Sequence, residues 1–147
     1  MDIASKLLTV NEARNLMENA KKNNRMDIYQ AAFRRLGQIQ GQNHSDPVIA
    51  QFWAAISAVE ETLRLKHGKA VKANYTRRKV KKVGEIQCLI DWALKRHETE
   101  GFKLLVRAGL GDQTGEYVVV KNSERFPPDA VAAAKKRLVE NDVRFVE

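Results

Sequence analysis

The side chains best suited to metal binding or nucleophilic work are three histidines, His44, His67 and His97, and one cysteine, Cys88. Their spacing defeats both uses. No two histidines can share a helix face, so neither a zinc site nor an acid-base pair follows from them. A lone thiol makes no internal disulfide, and inside the apolar run around Leu89 it reads as a small core filler. His44, Ser45 and Asp46 have the residue types of a hydrolytic triad, but adjacent side chains diverge and cannot form a relay. They read as loop and helix cap. The glycines of GLGDQTGE follow a helical pattern and precede an apolar run, the wrong order for cradling a nucleotide. No cofactor and no metal are expected.

One enzymatic arrangement has the residue types it would need. A carboxylate cluster beside a lysine and a basic surface is what metal-dependent phosphodiester cleavage needs, and Asp112, Glu116 and Lys121 have the types. On a strand, however, Glu116 and Lys121 would point to opposite faces. A nuclease is therefore the second alternative, and a non-catalytic protein the expectation.

Charge carries the stronger signal. The chain of 147 residues has a net charge of +8. Residues 1 to 62 hold seven basic and seven acidic side chains, residues 63 to 82 nine and none, and residues 83 to 147 ten and eleven. The excess lies in LRLKHGKAVKANYTRRKVKK, with Arg64, Lys66, Lys69, Lys72, Arg77, Arg78, Lys79, Lys81 and Lys82. Such a block repels itself unless an anion compensates, and a polyphosphate backbone does so along its length. Tyr75, within the block, can stack on a base or donate its hydroxyl to phosphate. The expected function is nucleic-acid binding through residues 64 to 82, DNA before RNA, with phosphate contacts centred on Arg77, Arg78, Lys79, Lys81 and Lys82. The first alternative is a helical module that binds an acidic protein or self-associates as a homo-oligomer. A helix-turn-helix over residues 85 to 108, reading with Lys103 and Arg107, is disfavoured because KLLVRA lacks the polar side chains of a reading helix.

The elements that position this block are mostly helical. Thr9 and Glu12 form a capping-box pattern for a helix to about Lys22. Asn24 and Asp27 open a second, whose apolar stripe of Ile28, Tyr29, Ala32, Phe33 and Leu36 stops at Gly37. This hairpin resembles a single tetratricopeptide unit through Ala20, Asn23, Asn24, Asp27, Ala31 and Ala32, without that family's Trp and Gly signature positions or a second copy. Asp46 and Pro47 start the longest helix, built on Ile49, Phe52, Ile56, Val59 and Leu63 and closed by Gly68. Thr76 caps a basic helix with Val80 and Val83 facing inward, and Gly84 separates it from a core helix over residues 85 to 96. Thr99 caps a short helix ending at Gly109.

Residues 116 to 121, with their Tyr and Val run, read as a strand, and Pro127 and Pro128 announce a last helix on Val131, Ala134 and Leu138. The terminal VRFV is expected as a second strand. The fold class is thus mainly α, or α+β: a helical, bundle-like single domain over residues 1 to 147, with a minor two-stranded sheet near the C-terminus. Its expected parts are a hairpin and long helix in 1–68, the basic segment in 63–82, and helices with short strands in 84–147. No apolar run approaches the roughly 20 residues that cross a bilayer, and MDIASKLLTV lacks the pattern of an export signal. A cytoplasmic location without membrane partners is expected, with nucleoid or nuclear association open to a DNA binder.

Overall fold

The computed structural model describes residues 3–41 and 44–146. Eight α-helices are present among them: α1 (Val10–Lys22), α2 (Met26–Gly41), α3 (Pro47–His67), α4 (Asn74–Val83), α5 (Glu85–Leu94), α6 (Glu100–Arg107), α7 (Gly115–Lys121) and α8 (Pro128–Glu140). Contacts divide the chain into two compact units, Met1–Ala58 and Val59–Glu147, with the boundary inside α3. Among the described residues no helix is long and apolar enough to cross a membrane.

In the first unit α1 and α2 form an antiparallel-type hairpin whose start is fixed by the Thr9 capping box. Thr9 Oγ1 accepts the Glu12 N–H at 3.1 Å, and Glu12 Oε1 accepts the Thr9 N–H at 3.1 Å. Met17, Ala20, Phe33 and Leu36 are buried there. Contrary to the expected stop at Gly37, α2 continues to Gly41. Gly37 sits buried inside the helix, and a Cβ at Gly41 would lie 2.5 Å from the Ala50 carbonyl oxygen. Gly41 serves close packing, and Gly37 is not a terminator. Asp46 caps α3, its Oδ1 accepting the Val48 N–H at 2.9 Å.

In the second unit α5, α7 and α8 pack on one another. Cys88, Leu89, Val119, Ala130, Ala134 and Leu138 are the inaccessible centre. The expected strand at 116–121 is corrected here: those residues belong to helix α7. Thr114 Oγ1 accepts the Tyr117 N–H at 3.2 Å and starts the helix. Val118, Val119 and Val120 are then buried in succession, a demand that a short helix wedged between two others meets and an alternating strand with one wet face does not. The terminal 143–146 segment is not a strand either, and no sheet occurs among the described residues. β-propensity gave way to tertiary packing.

Gly84 links α4 to α5 with φ 84° and ψ 168°, a conformation essentially reserved for glycine. The chain can turn sharply there and start a new helix at once. α4 contacts α5 but buries none of its own residues. Val83, expected to face inward, is 48% exposed.

Candidate nucleic-acid interface

The basic helix begins without help from its own sequence. Ala73, at its N-cap, has no side chain able to accept the orphan N–H groups of the first turn. A carboxylate from α3 does so instead. Glu60 Oε2 accepts the Ala73 N–H at 2.7 Å and Arg77 Nε at 2.8 Å, while Glu60 Oε1 accepts Arg77 Nη2 at 2.7 Å. This is a two-pronged guanidinium-carboxylate pair with a helix cap added to it. Burial works against the Glu60 charge, but the hydrogen bonds from Arg77 and Ala73 and the charges of Arg77 and Lys72 hold its pKa below the ordinary value. Arg77 is correspondingly pushed up by its hydrogen bond to Glu60.

A second pin holds the other side. Lys79 Nζ lies 2.5 Å from Asp91 Oδ2 on α5, and Gln87 Nε2 donates to Asp91 Oδ1 at 2.9 Å. The hydrogen bond from Lys79, then that from Gln87, lowers the Asp91 pKa. At about 100° per residue, Arg77 and Lys79 flank the partly buried stripe of Thr76 and Val80. Both cations reach back to the body of the protein.

What is left outward is the opposite face. Lys81, Asn74, Arg78, Lys82 and Tyr75 fall within an arc of about 120° on the helix, and all five are exposed. Tyr75 is 69% exposed, one turn before Arg78 and two before Lys82. Among the described residues, Arg78, Lys81 and Lys82 make no ion pair. Lys69 and Lys72 are exposed in the connection after Gly68. Lys72 is near enough to Glu60 to contribute to its lowered pKa.

The nine expected contacts therefore separate. Arg64 Nη2 pairs with the buried Glu61 Oε2 at 2.6 Å, and Lys66 Nζ with Glu100 Oε1 at 2.6 Å. Together with Arg77 and Lys79 these cations are engaged within the chain. Lys69, Lys72, Arg78, Lys81 and Lys82 stay on the surface with Tyr75. The sequence signal for Arg64 was its i,i+3 spacing from Glu61. None existed for Glu60, whose role depends on the return of the chain after α3.

Of the residues considered for phosphodiester cleavage, Glu116 and Lys121 differ in their surroundings. Glu116 is buried, its Oε2 2.9 Å from Arg137 Nη1, whereas Lys121 is exposed at the end of α7. Burial pushes the Glu116 carboxyl up against the pull of Arg137. No group of three or more metal-ligating side chains occurs among the described residues. Cys88 is buried, and loss of solvation raises its pKa, which suits a core filler.

Compared with protein-family models, curated proteins and solved structures, the chain matches none.

Proposed function

We propose that the outward face of α4, extended by the connection before it, binds the phosphate backbone of a nucleic acid, with DNA as the first substrate to test. The observation that carries this reading is the sorting of charge on one helix: Arg77 and Lys79 are consumed in holding α4, while Arg78, Lys81 and Lys82 are exposed without partners among the described residues. Tyr75 adds a flat aromatic surface beside two of them, a pairing suited to an unstacked base next to its own phosphate. Lys69 and Lys72 extend the charge toward α3.

The helix carries no neutral amide row aimed at base edges, so the binding is expected to be weakly selective for sequence and strongly dependent on salt. The test is a gel-shift or anisotropy titration with duplex DNA, single-stranded DNA and RNA of matched sequence at two salt concentrations. The variant with Arg78→Gln, Lys81→Gln and Lys82→Gln should lose at least tenfold in affinity. Its log K against log salt slope should shrink by about 2.7 on duplex DNA, at roughly 0.9 per phosphate. Unchanged affinity and slope in the folded variant would refute the assignment. Indifference of the parent protein to all three nucleic acids, with binding to an acidic polypeptide, would replace it by the protein-interaction reading.

A further inference from the structure

A second concentration of positive charge lies where the end of α5, the start of α6 and the outer side of α8 meet. They enclose a half-open cleft of about 420 Å³, within the roughly 300–1,000 Å³ of small-ligand sites. Lys95, Arg96, Lys103 and Lys136 line it, with His97 between them and with Glu98 and Glu140 as the acids. The charge block in residues 63 to 82 gives no hint of it, because the cleft's cations come from three separate stretches, 95–98, 100–107 and 128–140, each with an excess of only one positive charge.

The floor is a fixed framework. Arg137 Nη1 donates to the Trp92 carbonyl at 2.9 Å and to Glu116 Oε2 at 2.9 Å, and Nη2 donates to the Lys95 carbonyl. The guanidinium is thus neutralised by Glu116 and spent on tying down the last carbonyls of α5, which would otherwise repel an anion. Glu98 is held by Asn141, whose Nδ2 donates to Oε1 at 2.8 Å. The four rim cations make no ion pair among the described residues, so the rim keeps a surplus of positive charge. A concave wall focuses the field of such a surplus and draws anions into it.

We propose that this cleft is a binding site for a phosphate-bearing anion, separate from the α4 face and independent of whether that face binds nucleic acid. Lys103 of α6 and Lys136 of α8 supply charge from two sides, and Lys95 and Arg96 supply it from the chain between α5 and α6. Free phosphate compounds and the backbone of a nucleic-acid strand offer the same chemistry.

The experiment titrates inorganic pyrophosphate into the isotope-labelled full chain, at constant ionic strength set with chloride, and follows amide shifts and the thermal midpoint. Saturable shifts confined to residues 95–98, 103 and 136–140, with a rise in Tm, are expected. The variant with Lys103→Gln and Lys136→Gln should bind at least tenfold more weakly, and the α4 triple variant should bind pyrophosphate like the parent. An eight-nucleotide single strand that displaces pyrophosphate from these amides assigns the site to a nucleic-acid backbone; one that leaves them undisturbed assigns it to a free phosphate compound. Either result supports the site. Non-saturating shifts spread over the surface overturn it, as does full affinity in the double variant. Should that variant fail to fold, the footprint on the parent chain decides alone.

Discussion

Glu60 and Arg77, seventeen residues apart in sequence, form a two-pronged ion pair that also caps the basic helix through the Ala73 N–H. α4 buries none of its residues, so packing alone holds it weakly. Its position rests on this pair and on Lys79 with Asp91. Two of the cations that look most like ligand contacts in the sequence are fasteners for the others.

Replacing Glu60 by Gln should loosen α4 while leaving the rest of the second unit folded. Glu60 is 13% exposed but Arg77 is 36% exposed, so solvent screening reduces what the pair is worth. A local loss of about 1–2 kcal/mol is expected. Hydrogen exchange should show faster amides over residues 74–80, with those of α5 and α8 little changed. Uniform acceleration across the unit would show that the pair holds more than the helix.

Acid should release the same fastener. The folded pKa of Glu60 lies below its ordinary value of 4.5. A depressed carboxyl stabilises the fold in full above the unfolded pKa and loses that contribution as pH falls through the folded one. Docking of α4 should therefore be constant from neutral pH to about pH 5 and fail below the ordinary value. Asp91, also depressed by Lys79, works in the same direction but starts lower, below its own ordinary value of 3.8. Exchange rates of α4 amides measured down to pH 3 check this, and Glu60→Gln should flatten much of the response.

Tyr75→Ala should weaken single-stranded binding by about 1–3 kcal/mol if bases stack on the ring. Tyr75→Phe keeps the ring and should keep most of the affinity. Equal losses in both variants would assign the effect to the hydroxyl and phosphate. The side chain is 69% exposed, so neither change should alter the thermal midpoint appreciably.

Arg137→Ala should be the most damaging of these substitutions to the second unit. It would leave Glu116, 4% exposed, without its ion-pair partner and remove a donor from the carbonyls of Trp92 and Lys95. Breaking a buried pair from one side costs about 3–5 kcal/mol. Chemical denaturation should show a midpoint shift of that size. The conservative Arg137→Lys cannot reproduce the fork and should recover only part of it.

Gly115→Ala is expected to destabilise by about 1–3 kcal/mol, because a Cβ there would sit 2.4 Å from Trp92 Cε3. Thermal melting of the variant measures this. Trp92 would have to move, and α5 with it.

The sequence by itself determined those helix ends that carry local signals. Thr9 with Glu12, Asp46 with Pro47, Gly68, Gly84 and Thr99 mark termini because caps and left-handed glycines act on neighbours within a few residues. It also determined that the cationic excess lies in one twenty-residue stretch. Tertiary structure decided the rest. The Val run of α7 became helical because three successive side chains had to be buried between α5 and α8. It likewise decided which cations are spent on Glu60, Asp91, Glu61 and Glu100 and which face solvent. Ion pairing depends on distance in space, and no spacing along the chain records where α3 and α5 would place their carboxylates.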